Sequence, residues 1–582
     1  MDILEIKHSN RFATIDFLRG LAIWLMLLLH LLMRVYDKSW ADDPAQMAQA
    51  RIIVIVILIF ALFLGGWCGF FLLISSIGNM ISMQKQLARG KSIGELVLKQ
   101  VIGGILLLIF AFLTESIIGY HGWLGKLPWE ITPLQDHLFR AFHMETIHAV
   151  AWCVIVNGLT QGLLSLNNGY KKHTRNMIIY GILTILVIVS TTWVWKGVAQ
   201  IVPGYPFAQP EGRPHIVQYP IIGQSTLGEY IKLFFLLPLA GHPEPIFPFL
   251  AVSYLGSIIG IFLSQEKPSI KFILHGMIYS GIAVIVGLAG TGYMIVTGSQ
   301  DIGVFLGNTW NIPRLDCWFW WFLVLTGSQV FSTLLILRVI EFRGKAVPFA
   351  KKTTYFRRFG LIAFTVYNYQ FIDFIPRFLF TKLTGIDAMY SRVNGNVSLI
   401  LMAGIFLTWA IVMWLWEKVN FIGGMEWMIS VLAKLILPKK RKSKRNINES
   451  QNNLQSTGSQ ITLMETKNEN NEIEVTVKKI PWWKTDRLNV KGVLYDANFI
   501  NIISPEKVDH KNLKDSKLSL QLSLLAPVLM IAGVFALDIA IESITTEGKN
   551  KYNRWALILS IFGIIRFIGV FIALTFMSGL AI

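Results

Sequence analysis

The sequence predicts an all-α protein that threads a membrane about twelve times, and three observations carry that expectation. Hydrophobic residues make up 53% of the 582 positions and charged residues only 15%, where a soluble chain carries about a quarter charged. Apolar runs of about 20 residues, the length that crosses a hydrocarbon layer of roughly 30 Å, recur along the chain. The loops between them alternate between basic and Gly/Pro/Trp-rich, as the positive-inside rule requires of a multi-pass protein.

Taken in order, the spans are expected near 15–35, 52–82, 94–118, 140–165, 176–200, 246–264, 271–297, 317–340, 359–380, 397–417, 520–543 and 555–580. The first contains "TIDFLRGLAIWLMLLLH". Its apolar part is too long for a signal peptide and no small-residue cleavage site follows, so it is expected to remain as a helix. The segment 230–241, "YIKLFFLLPLAG", is too short to cross and reads as a half-helix backed by protein. After the tenth span come "PKKRKSKR" and a tract rich in Asn, Lys, Glu and Ser. Such low hydrophobicity predicts a largely disordered linker, with a small β element around "EVTVKK". The expected organisation is a ten-helix core over 1–437, a polar linker over 438–519 and a two-helix membrane hairpin over 520–582. No internal repeat of the kind found in many transporters is visible.

The loops "MQKQLARGKS", "NNGYKKHTRN", "QEKPSIK" and "RGKAVPFAKKTTYFRRFG" fall on one side in this count, which places them and both termini in the cytoplasm, with the chain in the cell membrane. The net charge of +18 follows from these loops and does not call for nucleic acid. Cys68, Cys153 and Cys317 each lie in an apolar run without metal-ligand spacing, so neither a disulfide framework nor a zinc site is expected.

Ionisable residues inside spans are costly and functional by default, and the stretch from Thr14 to His30 holds three, Asp16, Arg19 and His30. Arg19 and His30 are eleven residues apart, which returns the helix to within about 20° and separates them by about 16 Å along the axis. Asp16 and Arg19, three apart, are neighbours on that face and are expected to pair; an interfacial ion pair that merely anchors the helix end is the plainer reading. The fourth span begins "RAFHMETIHAVAW", carrying Arg140, His143, Glu145 and His148. Glu145 and His148 are three apart, a carboxylate placed to fix an imidazole tautomer as a general base needs. His143 points about 140° away from His148. Further polar groups on the same side are Glu115, His242, Glu244 and Asp316. No HExxH or His-x-His pattern occurs, so no metal is expected. The tryptophans at this level read as an interfacial belt, with a sugar-stacking role for one or two left open.

These residues resemble a family. "RFATIDFLRGLAIWLMLLLH" is similar to the opening helix of the transmembrane acyltransferase superfamily, which includes heparan-alpha-glucosaminide N-acetyltransferase-like and acyltransferase-3-like integral membrane proteins. Arg11, Asp16, Arg19 and Gly20 match the first group's opening, and Arg19 and His30 match the arginine–histidine spacing of the second. "FLGGWCGFFLLISSIGNMIS", "FHMETIHAV", "HPEPIFPFLAVSYLGSIIG", "FGLIAFTVYNYQ" and "FIGGMEWM" resemble later segments in order, the last through Gly423, Glu426 and Trp427. Pro245 stands where the family's Pro-Glu-Gly motif has its glycine, and the loop after the first span holds no histidine.

The resemblance implies transfer of an acyl group, usually acetyl, from cytoplasmic acyl-CoA to a hydroxyl or amine on an extracytoplasmic acceptor, commonly a glycan. Arg19, with Asp16 beside it, would meet the donor at the inner mouth. His30 would act as base, with His148 and Glu145, then His143, as the other candidates. One corridor would join Arg19 to His30. The expected partners are the lipid bilayer, acyl-CoA and the acceptor, with association as a homodimer left open. Two other classes remain: a transporter or flippase that uses the polar stripe as a path, and a scaffold whose linker recruits a partner.

Overall fold

In the computed structural model, residues 10–37, 60, 63–119, 122–126, 133–138, 144–201, 225–241, 243–436, 461–467, 473–479, 488–500, 502, 513–524, 526 and 530–579 are described. The chain enters through a two-residue strand, β1 (Asn10–Arg11), and turns at Phe12 into α1 (Ala13–Val35). Asp16 lies in the first turn of α1, where a negative charge suits the helix N-terminus. Helix α1 is the seam of the molecule. Ile15, Leu18 and Ala22 pack into one apolar core, whereas Ile23, Leu27, Leu31 and Val35 pack into another.

The first core gathers α2 (Gly69–Ala88), α4 (Thr146–Ser165), α5 (His173–Ile201), α7 (Ile246–Leu263), α8 (Ile270–Val296) and α9 (Trp318–Ile340), with α3 (Ile93–Leu113) packed on α4. Small residues let these helices approach closely, the usual device where lipid removes any apolar drive between them. A Cβ on Gly256 of α7 would stand 2.6 Å from the Leu73 carbonyl oxygen of α2, and one on Gly287 of α8 would stand 2.6 Å from that of Trp320 in α9. The short segment expected at 230–241 is α6 (Leu227–Ala240), opened by a capping box between Thr226 and Glu229.

Nine helices among the described residues are long and apolar enough to cross a membrane: α1, Phe63–Ala88 (ending with α2), those containing α3, α4, α5, α7, α8 and α9, and Val397–Glu417. The chain is thus an all-α membrane protein of many spans. The expected ninth span, 359–380, is not a continuous helix. It is split into α10 (Thr354–Leu361), α11 (Ala363–Asn368), a 3-10 turn (Gln370–Asp373) and α12 (Phe374–Thr384). The break at Ile362 (φ −123°, ψ 39°) frees the first N–H groups of α11, and a carboxylate from a later helix takes them up, as described below. The second core lies here, between α1, these pieces and α13 (Gly395–Glu417), followed by α14 (Met425–Ile436).

Two parts of the linker are regular. β2 (Ile461–Lys467) pairs antiparallel with β3 (Ile473–Lys479), the β element expected around "EVTVKK". The expectation of disorder fails for residues 488–500. There α15 (Val490–Leu494) buries Val490 and Leu494 in the second core, and β4 (Asn498–Phe499) pairs in parallel with β1. Apolar side chains spaced for one helical face supply what the polar composition hides. The C-terminal segment is a three-helix unit: α16 (Lys514–Ser523), α17 (Met530–Thr546) and α18 (Lys551–Gly579) pack on one another.

Candidate functional site

The break between α11 and α12 delivers polar groups to the last turns of α1. The Nδ1 of His30 is 2.9 Å from the Gln370 Oε1. Arg34 donates to the same oxygen at 3.2 Å, and the Gln370 amide nitrogen donates to the Tyr367 carbonyl at 3.0 Å. These contacts make the Gln370 oxygen the acceptor, so His30 carries its proton on Nδ1 and the lone pair on Nε2. Arg34 forms an ion pair with the fully buried Asp373 at 3.1 Å. From α11, Tyr367 donates its hydroxyl to the buried Glu115 at 3.1 Å.

The loops before α4 and α7 complete the cluster. Met144 and Pro243 form a parallel bridge, so the two helices start at one level. Across it Thr146 donates to Glu244 Oε1 at 2.7 Å. Glu145 lies in the extended residue before α4 rather than inside it, and is an electrostatic neighbour of His30, Glu244, Cys68 and Tyr367. The Cys68 thiol adjoins Glu244 and donates to the Gly66 carbonyl at 3.6 Å. Glu244 is only 3% exposed. Burial, reinforced by Glu145, pushes its carboxyl up to about 8 against the bonds from Thr146 and Cys68.

Of the residues expected at the site, His30 and Glu145 are brought together. His148 is buried one turn into α4, its ring 5.2 Å from that of Phe112. His143 and Arg140 lie outside the described residues, as does His242. The site also takes in residues that the sequence reading passed over: Arg34, Tyr367, Gln370 and Asp373. Arg34, four residues after His30 on the same helix face, was legible by spacing. The other three depend on the break, which nothing in "YNYQFID" announces.

At the opposite end of α1 the expected Asp16–Arg19 pair does not form. Asp16 is held instead by Arg11, through bonds of 2.9 and 2.7 Å to its two oxygens. The guanidinium arriving from β1 meets the carboxylate two-pronged, the strongest geometry open to it. Arg19 is left half-buried against Gly78 of α2, one of its nitrogens 3.0 Å from where a Cβ would stand, and has no hydrogen-bond or ion-pair partner among the described residues. Asp16, Arg11 and Glu426 are its charged neighbours. Glu426 is the carboxylate at the helix break: it accepts from the Phe364 and Thr365 N–H groups and from the Thr365 hydroxyl, which itself accepts from Met425 N at 2.8 Å. Burial raises the Glu426 carboxyl from its ordinary value.

Two cavities among the described residues lie away from this axis. One, of about 20 Å³, room for a water, is bordered by Ser76, Asn79, Gln100, Asn157 and Gln161. The other, of about 590 Å³, opens beside Lys171 and Lys172. Neither includes Arg19 or His30, so the corridor expected between them is not among these cavities.

The fold and the cluster define a class, a multi-pass helical membrane protein with a polar site buried beside a broken helix. No protein-family model matches the chain, and a search of curated proteins finds no matching sequence.

Proposed function

We propose that the chain is an integral-membrane acyltransferase: a ten-helix core with the C-terminal segment appended, moving an acyl group from cytoplasmic acyl-CoA, with acetyl-CoA as the donor, to a hydroxyl or amine of an extracytoplasmic glycan or other small acceptor. The observation that carries the reading is the state of His30. Its Nδ1 proton is committed to Gln370, which orients the ring and turns Nε2 to the role of base, with Glu145 as an electrostatic neighbour. In the proposed step, the acceptor oxygen or nitrogen attacks the thioester carbonyl while Nε2 takes its proton. The carbon–sulfur bond then breaks, and the CoA thiolate leaves with that proton. At the other end of α1, the Arg19 guanidinium, which has no hydrogen-bond or ion-pair partner among the described residues, supports a role in holding a donor phosphate.

The test uses purified full-length protein, acetyl-CoA and a polysaccharide extract of the cells that make it, with release of free CoA thiol as the readout. His30→Ala should lower the rate by about 10²–10⁴-fold, the usual worth of a general base, without changing the unfolding temperature. Full activity in that variant would reject the assigned base.

The broken helix favours a second reading, a transporter or flippase, because discontinuous helices line binding sites in such proteins. That reading expects solute movement in proteoliposomes without CoA and no thiol release when an acceptor is present.

A further inference from the structure

We propose that the cavity at the ends of α4, α5 and α7 is a binding site for a phosphate-bearing anion. Met144 and Pro243 bring the starts of α4 and α7 to the level of the His30 cluster. Their far ends, Ser165 and Leu263, therefore emerge at the opposite face of the bundle, where α1 begins. Between them and the start of α5 lies an open cavity of about 590 Å³ bordered by Lys171, Lys172, His173, Thr174, Arg175 and Glu266. Three permanent cations thus face a single carboxylate.

The positive-inside rule accounts for basic residues in this loop, but not for the way the loop is built. Asn167 (φ 52°) and Asn168 (φ 59°) turn it through the left-handed region, which asparagine tolerates best among residues with a side chain. Gly169 then packs so tightly that a Cβ would strike the Leu164 carbonyl. Arg175 locks the turn, donating to the Leu164 carbonyl at 2.7 Å and to the Asn176 side chain at 3.1 Å, while Asn176 donates to the Gly169 carbonyl at 3.0 Å. The Arg175 Nη1 has no hydrogen bond among the described residues, and the buried Nδ1 of His173 has no partner among them.

Behind this rim starts a 29-residue helix, whose first N–H groups and positive end favour an anion. The volume falls in the range of small-molecule sites and suits a diphosphate with part of its nucleoside. Phosphate of this kind comes either from a dissolved nucleotide, such as the ADP end of CoA, or from a lipid headgroup. The site does not rest on the acyl-transfer reading.

The test titrates inorganic pyrophosphate, and separately CoA, against full-length protein in phosphatidylcholine nanodiscs, reading the unfolding temperature. Binding should stabilise the native state and weaken as salt rises. The double variant Lys171→Gln/Lys172→Gln, which changes two exposed side chains, should need at least about tenfold more ligand for the same shift, while Lys352→Gln, at the end of the separate helix Ala346–Lys352, should match wild type. If pyrophosphate and CoA are inert but phosphatidylglycerol in the nanodisc stabilises wild type and not the double variant, the phosphate is a lipid's and the site stands. No stabilisation by any of the three, or equal stabilisation of wild type and double variant, overturns the proposal. Acyl transfer persisting in that case would leave the acyltransferase reading untouched.

Discussion

At the scale of single residues, the cluster is organised by what each polar group is denied. Glu244 receives one good hydrogen bond, from Thr146, while burial, reinforced by the charge of Glu145, raises its carboxyl from 4.5 to about 8. The folded state therefore holds a proton that the unfolded chain releases near 4.5. This contribution to stability is fully present below pH 4.5 and is lost as the pH rises through about 8. Glu244→Gln, always neutral, should remove that dependence. Melting temperatures recorded across this range should show wild type losing ground to the variant as pH rises; parallel curves would refute the assignment. Gln370 acts differently. It reaches His30 only because the chain leaves helical geometry around Tyr369, and it accepts from the imidazole there.

Elements explain why α1 tolerates so many charges. α10 crosses it at Gly20 and Gly360: a Cβ on Gly20 would fall on the Phe356 carbonyl oxygen, and one on Gly360 would stand 2.8 Å from that of Asp16. This approach is what lets the pieces after α10 reach the polar end of α1. Gly360→Val should cost about 1–3 kcal/mol, the usual range for overpacking, in reversible unfolding, and should lower activity at the His30 end although it touches no residue there. The split at Ile362 needs its own stabilisation. Glu426 accepts two main-chain N–H groups and a hydroxyl at that point, so Glu426→Ala should cost about 1–3 kcal/mol for the buried donors left without acceptors. Glu426→Gln, which keeps an acceptor oxygen, should lose less. Equal losses would mean that the carboxylate is not capping the break.

The whole molecule is tied together from its C-terminal third. β4 pairs with β1 directly before α1. Arg357 of α10 donates to the carbonyls of Val493 and Leu494 and stacks on Phe499 at 4.6 Å. Arg358 pairs with Glu417 of α13 at 2.5 Å, and both bond to Tyr495. The three-helix unit docks through Asp538, which lies 3.3 Å from Arg338 and 2.6 Å from Arg343. Its carboxylate is 1% exposed. Asp538→Ala would leave two buried guanidiniums without their shared counter-charge, a change that typically costs about 3–5 kcal/mol. Limited proteolysis should then release the segment after residue 513 while the core survives; wild-type resistance would show that the docking is held elsewhere.

Composition and span length by themselves determined that this is a multi-pass helical membrane protein, because the cost of exposing a backbone to hydrocarbon leaves few alternatives. Periodicity on α1 was enough to single out Asp16, Arg19 and His30, since a buried charge in an apolar run is legible without coordinates. Their partners were not. Arg11 displaced Arg19 at Asp16, and Gln370, Tyr367 and Asp373 joined His30, Glu115 and Arg34 across more than 250 positions of sequence. A chain of apolar residues such as 359–380 reads as one helix. Only the arrival of Glu426 from a distant helix stabilises breaking it, and no local pattern encodes a partner that folding brings from elsewhere.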